Sequence, residues 1–177
     1  PATIGSFVHW DKKLDAILAK QFMSVQSVKA VEIGKGVDIA KKFGTEVQDQ
    51  YSLDGKKITK ISNNLGGFEG GMTNGEELHI TAYLKPISTT LTPISSIDLA
   101  EKIETKTVYE RSDTCAVPRA IPIFEAIMAF EILNNLLIKT GGDHKKEITQ
   151  SFNNIPKLEI DEFEIKNELW SMKYDVE

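Results

Sequence analysis

The chain has 177 residues, 41% hydrophobic and 27% charged, which suits a single globular core and excludes a disordered or collagen-like chain. A formal charge of −5 leaves no global field for attracting nucleic acid. Cys115 is the lone cysteine, so no internal disulfide can form, and a reducing, cytoplasmic setting is expected.

The opening residues, from Pro1 to Asp11, have no basic n-region and no apolar h-region, so they do not read as a signal peptide. Nor do they read as a natural domain entrance. No uninterrupted apolar run approaches the ~20 residues that cross a bilayer, so no membrane span is expected.

Asp11 can cap a helix running from Lys12 to about Val25, with Leu14, Ile17, Leu18, Phe22 and Met23 recurring at helical spacing. Ser27 to Ile33 alternates with period two and is β-branched, which predicts a strand closed by Gly34 and Gly36. Lys29, Val31 and Ile33 share one phase; Val28, Ala30 and Glu32 share the other. Val37 to Phe43 predicts a short helix stopped by Gly44.

Leu65 to Gly75 holds five of the chain's twelve glycines, a density that neither a helix nor a strand interior tolerates. On the residues alone, a hairpin connection explains this run as well as a ligand does. Leu78 to Lys85 alternates cleanly, with Leu78, Ile80, Ala82 and Leu84 on one face and His79, Thr81, Tyr83 and Lys85 on the other. Pro86 ends that strand.

Lys106 to Glu110 predicts another strand, and Pro122 to about Lys139 a strongly apolar helix ended by Gly141 and Gly142. So many apolar positions imply burial on more than one side, against a sheet or a subunit partner. Residues 1–150 form the domain, and 151–177 a charged tail without a functional reading. The class is α+β.

Two places invite nucleotide readings. Gly34-Lys35-Gly36 opens like a dinucleotide fingerprint, but Ile39 occupies the third glycine position, and the pattern is too weak to use. The run from Gly66 to Gly75 lacks the Lys-Ser/Thr ending of a P-loop. Downstream the chemistry is richer. Gly70 and Gly71 let backbone N–H groups approach an anion or a flat ring. Lys85 ends a strand beside the Ser88 and Thr89 hydroxyls, and Arg111 supplies a planar fork two residues before Asp113. Together these describe a site for a phosphorylated cofactor or substrate, although Arg111 and Asp113 taken alone fit a local salt bridge. Cys115 reads as a small buried residue, and His9, His79 and His144 show no metal-ligand spacing, so no metal is expected. His79 shares a strand face with Tyr83 and Lys85.

Five blocks in one order resemble the chorismate synthase family. They are Gly5–Asp15, Val28–Gly34, Asn64–Gly75, Leu84–Thr89 and Glu110–Pro118, within an agreement running from about Gly5 to about Gly141. Members are about twice this length, and the chain resembles their C-terminal half. The family's catalytic histidines and several substrate arginines lie in the other half, so no turnover is expected from these residues alone.

The resemblance implies a β–α–β sandwich of mainly antiparallel sheets enclosing helices, assembled as a homotetramer. It implies a lyase that converts 5-enolpyruvylshikimate 3-phosphate to chorismate by anti-1,4-elimination of phosphate, using reduced FMN. Gln26 and Ser27 match flavin contacts, and Gly70 matches the glycine lying on the flavin. Lys85, Pro86, Ile87, Ser88 and Thr89 match the segment around the ribityl phosphate. Arg111 matches an arginine at the flavin–substrate boundary, with Ser112 beside it. Asp113 matches the carboxylate that accepts a proton from flavin N5. Two other readings are a stand-alone FMN-binding or flavin reductase module, and a non-catalytic interaction domain whose glycine loop is only a connector. A half-chain would expose sheet and helix surfaces, and self-association or marginal stability is expected of it.

Overall fold

The computed structural model describes residues 1–163. Its elements, in chain order, are β1 (Ala2–Gly5), α1 (Leu14–Ser24), β2 (Val28–Ile33), α2 (Gly44–Val47), β3 (Tyr51–Asp54), β4 (Lys57–Lys60), β5 (Phe68–Glu69), β6 (Met72–Asn74), β7 (Ile80–Leu84), β8 (Ser95–Asp98), β9 (Ile103–Lys106), α3 (Val117–Thr140) and α4 (Lys145–Asn153). All strand pairings are antiparallel, in a β1-β6-β5 sheet and the two-stranded ribbons β2-β7, β3-β4 and β8-β9. The α+β class with antiparallel sheets holds, although the sheets are small and do not close around the helices.

α1 is the centre of the packing. Leu14, Leu18 and Phe22 fall at i, i+4 and i+8, one face of the helix, and are buried with Ile4 and Phe68. Val31 and Ile33 of β2, Leu78, and Ile80 and Ala82 of β7 pack on this cluster, as do Phe124, Ile127, Met128 and Leu136 of α3. The rings of Phe22 and Phe124 stack with centroids 4.8 Å apart. Met23, expected on the same stripe, is exposed, because it lies one position past Phe22 and so turns off the buried face.

Several expectations need correction. Asp11 does not cap α1. It belongs to a 3-10 turn, Trp10–Lys12, and the helix starts after Lys13. The free Leu14 N–H donates to the Gly71 carbonyl at 2.8 Å, so a hairpin backbone satisfies the first turn in place of a side chain. In β2, the pairing slips between Val28 and Ala30, leaving Lys29 as a bulge. The bulge brings Val28 inward along with Val31 and Ile33, although strict alternation put them on opposite faces. Gly44 stops no helix; it opens α2 after a 3-10 turn, Gly36–Lys41.

Lys106 to Glu110 is not a strand. β9 ends where that strand was expected to begin, and the N–H and Oγ1 of Thr107 bond the backbone of Ile94 to close the β8-β9 hairpin. α3 starts at Val117, ahead of Pro122, with Pro118 in its first turn, where a missing N–H costs nothing. Its 24 residues are long and apolar enough to cross a bilayer, contrary to the sequence expectation. The face toward α1 carries buried Glu131 and Asn135, while Phe130 and Leu133 face outward at 68% and 53% exposure. Most of the tail expected from 151 onward, residues 164–177, lies outside the described residues. Its first part includes the end of α4 and a bridge from Glu159 to Lys57.

Candidate functional site

The glycine run folds into a tight hairpin. Phe68 pairs with Thr73 and Glu69 with Met72, leaving Gly70-Gly71 as the turn. Both turn residues have positive φ, 61° and 88°, which glycine adopts without strain. A Cβ on Gly71 would lie 2.5 Å from the Lys13 side chain, whereas nothing stands within 4 Å of one on Gly70. Gly70 is therefore an open backbone surface at the hairpin tip. Further back, Gly34 and Gly66 meet face to face: a Cβ on Gly66 would lie 2.4 Å from the Gly34 Cα.

Asp49 anchors the base of this run. Its Oδ1 accepts from the Asn64 N–H (2.7 Å) and the Ser62 hydroxyl (2.6 Å), and its Oδ2 accepts from the Leu65 N–H (3.0 Å). Burial disfavours the charged carboxyl, but these hydrogen bonds outweigh it and hold the Asp49 pKa below its ordinary value. Sequence reasoning missed Asp49, since its partners lie 13 to 16 positions away and no pattern marks it.

A second polar group braces the β5-β6 hairpin. Lys60, with its side chain only 4% exposed, pairs with Glu69, which also accepts from Asn74 (3.1 Å) and Tyr51 (3.2 Å). Burial opposes both charges. The Lys60 bond nevertheless holds Glu69 below its ordinary pKa, and Glu69 raises that of Lys60.

The structure brings Ser27 and Lys85 together, with Gln26 next to Ser27 in the chain. The Lys85 N–H donates to the Ser27 carbonyl at 2.7 Å, extending the β2-β7 ladder past Val28 and Leu84. Ser27 itself has φ 74°, uncommon for a residue with a side chain. Pro86, Ile87, Ser88 and Thr89 follow in the loop leaving β7, with Ser88 exposed.

Arg111, Ser112 and Asp113 are exposed in an irregular stretch before α3. Asp113 pairs with Arg119 in the first turn of α3 at 2.7 Å, so its partner is not Arg111. Leu84 at the end of β7 and Val117 at the start of α3 line one apolar cavity of about 750 Å³ between ribbon and helix. The Ser27–Lys85 pair and the Arg111–Asp113 stretch therefore flank the same end of this layer.

Gly70 stands apart from them. Gly71 is bonded to the first residue of α1 and Ser27 lies three residues past its last, so a helix of about 16 Å separates the two. No described cavity joins Gly70 to Lys85 or Arg111. Cys115 is exposed, against the expectation that it is buried. His79 lies at the exposed surface with Glu77 3.3 Å away, and Tyr83 donates to Glu32 across the ribbon at 2.6 Å. Among the described residues, no three His, Cys, Asp or Glu side chains gather as a metal would require.

Comparison with known proteins converges on one family. The chorismate synthase family profile matches residues 1–137. The chorismate synthase of Geobacter sulfurreducens is 44% identical over 160 residues, covering 86% of this chain and 41% of the relative. That of Thermoanaerobacter pseudethanolicus is 46% identical over 153 residues, covering 86% and 44%. A crystal structure of a chorismate synthase superposes with a TM-score of 0.69 at 35% identity, covering 86% of this chain and 38% of that one. The chain thus spans about two-fifths of the length of the relatives it matches. Profile, sequence and backbone agree over the same stretch, and the chain belongs to the chorismate synthase family.

Proposed function

We propose that this chain forms the flavin-handling portion of a chorismate synthase, the lyase that converts 5-enolpyruvylshikimate 3-phosphate to chorismate and phosphate. The complete protein is read as a cytoplasmic homotetramer. The observation that carries the reading is that the stretch matched by the family profile, residues 1–137, contains every candidate residue, and that two of them distant in sequence, Ser27 and Lys85, meet through a backbone hydrogen bond of 2.7 Å.

The residues fit a flavin mononucleotide in part. Lys85 with the Ser88 and Thr89 hydroxyls forms a basic, hydroxyl-rich corner beside Gln26 and Ser27, suited to a phosphate end. Pro86 and Ile87 give that corner a stiff, apolar wall. Gly70 offers open backbone to a flat ring, but from the other end of α1, so a single pocket requires further walls from the rest of the family's fold. When bound, reduced FMN supplies a reversible electron to a phosphate elimination that is otherwise slow. Arg111 and Ser112 bind the anionic substrate at the flavin edge, the guanidinium neutralising charge as phosphate leaves. Asp113 would accept and hold a proton on Oδ1, the carboxylate oxygen that Arg119 does not hold.

The test uses a chimera in which this chain replaces the matching two-fifths of the Geobacter sulfurreducens enzyme. Spectral titration should show FMN binding that the double change Gly70→Val and Lys85→Ala abolishes. Unchanged binding in the double variant would make the glycine loop a mere connector. Tight FMN binding by the isolated monomeric chain would point to a stand-alone flavin module.

A further inference from the structure

The glycine hairpin ends on a reactive dipeptide. Of the chain's asparagines, Asn74 alone precedes a glycine. The backbone nitrogen of the next residue can attack an asparagine side chain, and glycine there lacks the Cβ that hinders the approach. Asn64 and Asn135 are buried and each is followed by leucine, which opposes the same reaction. Gly75 is exposed, and with Asn74 and Glu76 it lines an open cavity of about 680 Å³. Water reaches this pair.

The local hydrogen bonds favour the attack. Asn74 Oδ1 accepts from the Glu76 N–H at 3.1 Å, closing a ring that contains the Gly75 nitrogen and folds the side chain forward over it. As the nitrogen adds to Cγ, negative charge collects on Oδ1, which already faces that N–H donor. Gly75 itself has φ 95°, which glycine adopts without strain.

We propose that Asn74–Gly75 is a self-modification site, where the Gly75 nitrogen displaces the Asn74 side-chain nitrogen as ammonia and the product carboxylate unseats Glu69 from the hairpin brace. The bond from the Gly75 nitrogen to Cγ forms, and the Cγ–Nδ2 bond breaks. Water takes the proton from the Gly75 nitrogen and returns one to the departing nitrogen. A second water then opens the succinimide ring at either carbonyl, giving aspartate or isoaspartate. No oxidant, metal or flavin takes part, so the site is independent of the proposed function.

The consequence lies in the neighbouring ion pair. Asn74 Nδ2 donates to Glu69 Oε2 at 3.1 Å, beside the buried Lys60 side chain that Glu69 pairs with. Modification replaces that donor with a carboxylate. Two anions then face one lysine, and the contact that held Glu69 becomes repulsive. Isoaspartate also adds a carbon to the β6 main chain, which disturbs its register with β1.

The experiment incubates the full chain in mildly alkaline buffer, folded and urea-unfolded, and follows isoaspartate by enzymatic methylation and peptide mass mapping. In the folded chain it should accumulate in the Asn74 peptide at least tenfold faster than in peptides holding Asn63 and Asn64 or Asn153 and Asn154. The folded rate at Asn74 should lie within tenfold of the unfolded one. Asn74→Asp, which supplies the product carboxylate directly, should lower the urea midpoint, and by at most half as much in a Glu69→Gln background.

Protection of Asn74 beyond tenfold by the fold would overturn the proposal, as would modification no faster than at the other asparagines. So would an Asn74→Asp loss that is the same with and without Glu69→Gln, because the new carboxylate would then not act on Glu69.

Discussion

The Lys85 backbone N–H reaches the Ser27 carbonyl at 2.7 Å, joining the residue before β2 to the residue after β7. This bond fixes the strained Ser27 backbone, with φ 74°, and aims the loop carrying Ser88 and Thr89. Ser27→Gly should keep or slightly raise stability, because glycine relieves the positive φ, while Ser27→Val should lose about 1–3 kcal/mol to strain. Urea denaturation measures both. If the Ser27 side chain touches flavin, the glycine variant of the chimera also binds FMN more weakly despite its intact fold.

Asp49 should matter more to the glycine run than its distance in sequence suggests. Asp49→Asn removes the charged acceptor of two backbone donors and a hydroxyl, at a cost of about 1–3 kcal/mol. The pH dependence has a definite sign. The folded pKa is depressed, so the contribution is complete above the ordinary aspartate value of 3.8 and is lost as pH falls through the lower folded value. The stability gap between wild type and Asp49→Asn should be full at pH 7 and shrink below about pH 4. Urea melts at several pH values measure it.

Much of the frame is written in the sequence. The alternation of Leu78 to Lys85 survives intact because β7 is regular and half-buried. The burial of Leu14, Leu18 and Phe22 follows from helical spacing alone. The inward turn of Val28 did not, since a bulge at Lys29 is set by pairing with β7, 50 residues on. The β3-β4 hairpin carries a readable Asp54-Gly55 turn signal that hydrophobic periodicity overlooks, because its strands are only four residues long and β3 is exposed throughout.

The site was legible as a set of residue types but not as a geometry. Asp113 and Arg111 suggest a pair two positions apart. The helical turn of α3 instead presents Arg119 to Asp113, and no local pattern encodes that choice. The meeting of Ser27 with Lys85 likewise depends on the β2-β7 register.

Gly70 and Gly71 should separate under the same substitution. Gly70→Ala meets no neighbour and should cost about 1 kcal/mol through its backbone alone. Gly71→Ala must also displace Lys13 at the start of α1 and the Ser6 carbonyl just after β1, so the loss should be larger. Thermal melts of the two variants compare them directly. Equal losses would mean that the hairpin does not rest on α1.

Arg119→Ala should leave stability within about 1 kcal/mol, because the Asp113–Arg119 pair is solvent-exposed. In the chimera, Asp113→Asn should retain FMN and slow turnover, as only the proton acceptor is lost. Equal losses of affinity and rate would make Asp113 a structural residue. Arg111→Lys should not restore normal rates, since a point charge cannot reproduce the planar fork.

The face-to-face approach of Gly34 and Gly66 bears on how this chain tolerates change. A methyl on either one would strike the other's main chain, and shrinking a neighbour cannot make room. In a saturation mutagenesis library scored for folding, these two codons should behave as a locked pair, with every replacement depleted and no second-site suppressor recovered at the other.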